Sequence, residues 1–314
     1  MLAQASPLFG SAVHYTAAMN DATAPPAPAR IADEKRRFLF EEMDLRGELV
    51  HLDAVLSDIA SIHAYPVGVQ ALLGEFLAAS VLLASTLKFR GTLTVQARSD
   101  AQIPLIMAEC SSALEVRAIA RGAQEAVAEE FNELLGGGQL VLTMTPERGQ
   151  RYQGIVPLQD DSLAASLDSY FAQSEQLHTR LLLFSDGDRA SGLLLQQLPS
   201  QRVREQARRE QQWEHINHLV STVQPAELRD LTAETLLHRL FHEESVRLFD
   251  EEAVVFRCSC SRERTLAALA TIGRDEIDDI LREQGSVSMD CEFCNQRYVF
   301  GPDDLGSADG ATVH

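Results

Sequence analysis

An α+β fold is predicted, with an N-terminal mixed helix and antiparallel-sheet domain, a helical linker and a small C-terminal four-cysteine domain. Three observations predict it. Apolar residues alternate with polar ones in several segments between residues 93 and 197. A long helical apolar repeat precedes them, and four of the five cysteines fall in the last sixty residues.

The elements follow in chain order. Residues 1–32 are rich in Ala, Pro and Ser, with the run Ala24-Pro25-Pro26-Ala27-Pro28, which predicts a disordered extension. Order is expected from near Phe38, and Arg46-Gly47-Glu48-Leu49-Val50 begins a strand or turn. Leu72, Leu73, Phe76, Leu77, Ser80, Leu83 and Leu87 keep the helical period, which predicts a helix with one apolar stripe. After Gly91 the period changes to two. Leu93, Val95 and Ala97, then Leu114, Val116 and Ala118, then Leu140, Leu142 and Met144 each mark a strand with one buried face. Gly136-Gly137-Gly138 separates two such elements. A helix from about Leu163 to Ser174 and strands near Leu181–Phe184 and Leu193–Gln197 complete a domain expected over 33–199. Asp186-Gly187-Asp188 reads as a hairpin turn.

The stretch 200–250 differs. Gln201 to Gln212 favours helix by propensity, yet Val203 and Ala207 are its only apolar residues, so it has almost no face to bury. Ile216, Leu219, Val220 and Val223 form a short apolar stripe beside Trp213, and Leu228, Leu231, Leu236, Leu237, Leu240 and Phe241 suggest two more short helices. The expectation is a helical linker that is stable only while docked. Residues 251–302 form the four-cysteine domain, and 303–314 a flexible tail.

Composition narrows the function. Asp and Glu number 46 against 27 Lys and Arg, giving a formal net charge of -19. Such a chain repels nucleic-acid phosphate and anionic membranes, so neither is an expected partner. The apolar segment Leu72 to Leu87 is interrupted by Gly74, Glu75, Ser80 and Ser85 and reads as a core helix, not a membrane span. Residues 1–29 hold no Lys or Arg, which a secretory or organellar leader would need, so a cytoplasmic location is expected.

The chemistry lies in Cys258-Ser259-Cys260 and Cys291-Glu292-Phe293-Cys294, two close pairs thirty residues apart. Two such pairs can surround one tetrahedral Zn²⁺ with four thiolates, so one zinc per chain is expected on Cys258, Cys260, Cys291 and Cys294 in the reduced form. A domain this small cannot bury a sufficient core unaided, whereas structural zinc supplies roughly 10–16 kcal/mol of apparent binding energy. Metal-bound sulfurs are thiolates, the form that peroxide and hypochlorous acid attack. Each cysteine has a neighbour with which to form a disulfide, Cys258–Cys260 and Cys291–Cys294, and such tiny loops replace little of the lost metal energy. Arg257, Arg262, Arg264 and Arg297 flank the ligands and are expected to temper their charge.

Other features read as structural. Cys110 stands alone in an apolar run and is expected to be a buried core thiol. His238 and His242 are four apart but lack the Glu of a zinc-protease motif, and His215 and His218 are dismissed likewise. The three glycines at 136–138 are not followed by Gly-Lys-Ser/Thr, so no phosphate loop is present there. No catalytic constellation is legible, and no enzymatic activity is expected.

The sequence from about 36 to 302 resembles the thirty-three-kilodalton heat-shock protein family of redox-regulated bacterial chaperones. The resemblance rests on Phe38-Leu39-Phe40, Arg46-Gly47-Glu48-Leu49-Val50, Leu87-Lys88-Phe89, Arg151-Tyr152-Gln153-Gly154, and Tyr170-Phe171 with Ser174-Glu175-Gln176 and Thr179. It continues through His242-Glu243-Glu244 and is most specific at Cys258 to Arg264 and at Cys291 to Cys294 with Tyr298 and Phe300. It implies ATP-independent binding of unfolded or partly folded client proteins, with zinc on the reduced cysteines. It further implies activation by oxidative unfolding of the zinc module and linker, a homodimer when oxidised, and later transfer of clients to an ATP-dependent foldase chaperone system. The N-terminal extension departs from the family pattern.

Two other functions compete. A thiol-disulfide oxidoreductase would need Cys291 and Cys294 at a helix start on a thioredoxin-like domain. A zinc-ribbon nucleic-acid-binding protein would need aromatic and basic residues interleaved, and the overall acidity opposes it.

Overall fold

The computed structural model describes residues 32–87, 90–175 and 177–306. The expected extension thus lies almost wholly outside the described residues, as do Lys88, Phe89 and Gln176 of the resemblance motifs and 307–314 of the expected tail.

The chain opens with β1 (Glu34–Phe40), β2 (Leu45–Leu52), α1 (Ala54–Ile62) and α2 (Val67–Thr86). Next come β3 (Gly91–Arg98), β4 (Leu105–Ser111), β5 (Glu115–Arg121), α3 (Phe131–Leu135), β6 (Gln139–Pro146) and β7 (Tyr152–Pro157). Then α4 (Leu163–Tyr170), running on as a π-turn to Glu175, leads to the hairpin β8 (Thr179–Ser185) and β9 (Ala190–Gln197). Three helices follow, α5 (Gln206–Val220), α6 (Pro225–Asp230) and α7 (Ala233–Phe241), then β10 (Val246–Ala253) and β11 (Val255–Phe256). The C-terminal module holds α8 (Arg262–Leu269), α9 (Arg274–Gln284), β12 (Val287–Asp290), β13 (Arg297–Phe300) and α10 (Pro302–Gly306).

Two large sheets share one core. The first runs β10-β1-β2-β9-β8, the second β11-β5-β4-β3-β6-β7. Between them lies α2, touching β2, β8 and β9 of one sheet and β3, β4 and β5 of the other. The single apolar stripe expected of this helix is therefore an underestimate. Buried residues surround it, and the small ones Gly74, Ala78, Ala79 and Ser80 leave room for the sheets, while Gly68 faces the Ala128 carbonyl. By length and mean hydropathy (1.8) α2 could cross a membrane, but 72% of that window is buried inside the protein, as in a core helix. The period-two strands behave as their alternation requires: Leu93, Val95 and Ala97 face inward, as do Val116, Ala118, Leu140 and Leu142. Cys110 is fully buried, and burial pushes its thiol up to about 12, so it stays protonated at neutral pH. Gly47 has a packing reason. It pairs with Phe38 across β1 and β2, and a Cβ there would fall inside the Phe38 ring.

The opposite face of the first sheet carries the linker. Phe38, Phe40, Leu45, Leu49, Leu193 and Leu195 form one buried cluster with Ile216, Val220, Leu228, Leu236, Leu237, Leu240 and Phe241. The polar stretch expected to be helical from Gln201 becomes helix only at Gln206. It has no apolar face to bury, and it buries an arginine. Asp44 accepts hydrogen bonds from the backbone N–H groups of Gln201 (3.1 Å), Arg202 (3.0 Å) and Val203 (3.1 Å). The same carboxylate pairs with buried Arg209 at 2.8 Å, and Arg209 also donates to the Leu198 carbonyl. Burial works against the Asp44 charge, yet these donors outweigh it and hold the carboxyl below its ordinary range. Further along, buried His51 of β2 donates through Nε2 to the Leu228 carbonyl of α6 at 3.1 Å.

Two borders differ from expectation. β10 spans the position 250/251, where linker was to give way to the four-cysteine domain, and is a strand of the first sheet. The tail expected from 303 starts later, because α10 folds and buries Leu305 against Leu269, Ile277, Val287 and Phe300. Those five residues are the whole buried core of the C-terminal module.

Candidate metal centre

Two pieces of local structure bring the cysteines together. After β11, the chain passes Cys258 and Cys260 and enters α8, whose N-cap Ser261 accepts a hydrogen bond from the Arg264 N–H. Cys260 is thereby fixed one residue before a capped helix. The second pair sits in the turn between β12 and β13. There the Cys291 N–H reaches the Gln296 carbonyl (2.9 Å) and the Asn295 N–H reaches the Cys291 carbonyl (2.8 Å). Asn295 adopts φ +55°, a left-handed conformation that Asn tolerates and that closes the knuckle. At the foot of the hairpin, Arg297 donates to both carboxylate oxygens of Asp290 (2.7 and 2.8 Å).

All four sulfurs lie within 4.8 Å of one another. Between the pairs, Cys258 lies 3.6 Å from Cys291 and Cys260 lies 3.5 Å from Cys294. Four donors about 2.3 Å from one tetrahedral centre stand about 3.8 Å apart, so the arrangement fits a four-thiolate ion site. All four are free thiols, partly buried. Among the described residues, no other group of three or more His, Cys, Asp or Glu is close enough to share an ion. His238 stacks on His242, and His215 pairs with Glu244.

The cation at the sulfurs is not one of the four expected. Arg257 pairs with Glu115, Arg262 with Asp304 and the Val299 carbonyl, Arg264 with the Ser259 carbonyl, and Arg297 with Asp290. Arg117 of β5, on the large domain, points Nη1 at Cys258 Sγ (3.7 Å). Its guanidinium lies 4.0 Å over the Phe293 ring and is held from behind by Glu109 at 2.7 Å. Tyr298 donates its hydroxyl to Cys260 Sγ at 3.1 Å. Desolvation opposes the Cys258 thiolate, but the Cys260 N–H and Arg117 outweigh it and hold that thiol at about 7. Burial and neighbouring sulfurs push Cys291 and Cys294 up. Without a cation, then, the four cannot all ionise together at neutral pH; a bound divalent ion would reverse that order. Nothing in the sequence spacing pointed to Arg117, which lies 141 residues from Cys258.

The module is clipped to the large domain around this centre. β11 pairs with β5 in parallel, Val255 with Glu115 and Phe256 with Val116. His63 Nε2 donates to the Glu292 carbonyl (2.6 Å), Asn295 donates to the Ile62 carbonyl (3.0 Å), and Arg121 pairs with Glu292. A cleft of about 380 Å³ remains between the two bodies, with Cys291, His63, Tyr65 and Arg121 in its wall.

Comparison with known proteins accords with this arrangement. The family model described as Hsp33 protein matches residues 33–301, and so includes all four cysteines. The chain belongs to the Hsp33 family. It is 50% identical over 277 residues to the 33 kDa chaperonin of Pseudomonas aeruginosa PAO1, covering 87% of this chain and 93% of that one. With the 33 kDa chaperonin of Azotobacter vinelandii it shares 51% over 276 residues, again 87% of this chain and 93% of the relative. The crystal structure of the 33 kDa chaperonin (heat shock protein 33 homolog) from Thermotoga maritima shares the fold at a TM-score of 0.72. That match has 23% identity and spans 87% of this chain and 97% of the other. Within the Hsp33 resemblance motifs the structure supplies reasons: Gly47 seats Phe38, Gly154 seats the Tyr170 hydroxyl, and Tyr298 reaches a sulfur.

Proposed function

We propose that this chain is an ATP-independent holdase chaperone switched by thiol oxidation, silent when reduced and metal-loaded. The supporting observation is the placement of the sulfurs: four free thiols within 4.8 Å form the junction of a module whose own core is five buried apolar residues. Bound Zn²⁺ would hold Cys258, Cys260, Cys291 and Cys294 as thiolates and supply most of that module's folding energy.

The oxidative step needs only these cysteines and a peroxide. A thiolate attacks one peroxide oxygen, the O–O bond breaks, and sulfenic acid and water result once a proton is taken up. The neighbouring thiol then attacks the sulfenic sulfur, expels water and forms a disulfide. Each pair thereby loses two electrons to one peroxide. With Cys258–Cys260 and Cys291–Cys294 as the products, four thiolate donors become four neutral disulfide sulfurs that no longer hold a cation. The module, residues 251–302 with α10, then has too little core to stay folded, and the linker 200–250 is released from the sheet face beneath it. Uncovered apolar surface binds unfolding clients, favours a homodimer, and passes clients on to an ATP-dependent foldase system. The protein performs this work in the cytoplasm and catalyses no reaction.

The test is light scattering of a heat-denaturing client protein with reduced and with peroxide- or hypochlorite-treated chain, while a colorimetric chelator reports released zinc. The expected result is loss of about one zinc per chain, with suppression of aggregation only after oxidation. Equal suppression in both states would overturn the switch.

A further inference from the structure

The short stretch between α7 and Cys258 closes an edge on each large sheet. β10 lies antiparallel on β1, and β11 lies parallel on β5. Between them Val254 is buried, its N–H bonded to the Asp33 carbonyl at 3.0 Å. This stretch joins the linker to the first cysteine pair, so it stands where both parts of the switch meet.

β10 is held unlike the strands around it. None of its eight residues is buried, and only Val246 and Leu248 lean against the Phe38 and Phe40 cluster. Backbone pairing and charge do the rest. Lys35 pairs with Glu252, and Arg36 lies 3.9 Å from Glu251. Arg36 also donates to the Phe249 carbonyl (3.0 and 3.2 Å), where a bulge interrupts the register between Arg36 and Phe38. β1 therefore presents a basic half, Lys35 and Arg36, and an aromatic half, Phe38-Leu39-Phe40, while Arg37 turns away to Glu48 of β2. β10 answers with Asp250-Glu251-Glu252 and with Val246 and Leu248.

A strand attached by backbone hydrogen bonds and ion pairs can be replaced by any extended chain of the same chemistry. We propose that the β1 edge is a client-binding site. On oxidation β10 leaves, and an extended segment of an unfolding protein, apolar at one end and acidic at the other, adds antiparallel to β1 in its place. This rests on the reading that oxidation unfolds the linker and module together. The main-chain hydrogen bonds are indifferent to sequence, so many clients fit. The basic half selects acidic segments, and the aromatic half selects apolar ones.

A fluorescent peptide with the sequence of residues 244–254 tests this by anisotropy against the full chain, reduced and oxidised, with zinc release and client aggregation measured in parallel. Binding is expected to the oxidised chain and about tenfold weaker or absent to the reduced one. Excess unlabelled peptide should restore client aggregation. Arg36→Glu should weaken binding about tenfold, and a peptide carrying Glu251→Lys should bind that variant better than the native peptide does. If oxidised chain releases zinc and suppresses aggregation yet ignores the peptide and the charge exchange, the β1 site is wrong while the switch stands. Equal binding in both redox states also overturns it. If zinc is never released and the peptide never binds, both readings fail.

Discussion

The linker layer and the C-terminal module look equally attached, but they are held by opposite means. The linker helices share a cluster of large buried side chains with the first sheet and are pinned at their entrance by Asp44 and Arg209. The module has five buried apolar residues of its own and meets the large domain mainly through hydrogen bonds, ion pairs and a two-residue strand. The linker thus has its own adhesive, whereas on the proposed function the module depends on its sulfur centre. The switch proposed at the sulfurs would have to be transmitted to the linker, and β10 is the covalent route between them.

Metal removal should break this comparison most sharply. Chelation of the reduced chain, or Cys291→Ser, should cost on the order of 10 kcal/mol of metal-coupled folding energy. Hydrogen exchange read by mass spectrometry should show α8, α9, β12 and β13 opening, with β10 and α5–α7 following, while α2 and β2 stay protected. Asp44→Ala should act on the other half. Breaking a buried ion pair by removing one partner costs about 3–5 kcal/mol, and here it strands Arg209. Limited proteolysis should then cut between 200 and 225 while the reduced module stays intact.

Acid should loosen the linker first, and the sign follows from two groups. Burial holds the His51 pKa below its ordinary value, so its contribution is complete above pH about 6.5 and is lost as pH falls below that. Asp44, also lowered, keeps its contribution until pH falls below about 3.8. Trp213, packed in the linker cluster, reports the change by fluorescence, and His51→Gln should remove the upper part of the transition. A smaller effect is expected at Arg117. Arg117→Gln gives up the contacts to Cys258 and Phe293, about 1–3 kcal/mol together. The module should undock more readily, seen as faster exchange at β11 and faster oxidant-driven zinc release. Lysine there should restore the charge but not the stacking.

The sequence made the four-cysteine centre legible because its signal is local, two short pairs in one small segment. Strands such as Leu93 to Ala97 were legible because one buried face writes period two into the chain. What escaped is long-range. Arg209 lies in a stretch that reads as having almost no face to bury, and Asp44, 165 residues away, explains its burial together with the Leu198 carbonyl. Arg117 is one arginine of a strand until β5 is placed beside β11. β10 escaped because its bulge breaks the alternation after Leu248 and because none of its side chains is buried.

The proposed coupling of sulfurs to linker is tested by hydrogen exchange on one sample before and after peroxide, with α2 as the internal standard. Protection should be lost together in the module, in β10 and in α5–α7, with one ion released and α2 unchanged. Loss confined to α8, α9, β12 and β13, with the linker helices still protected after the ion has gone, would contradict it.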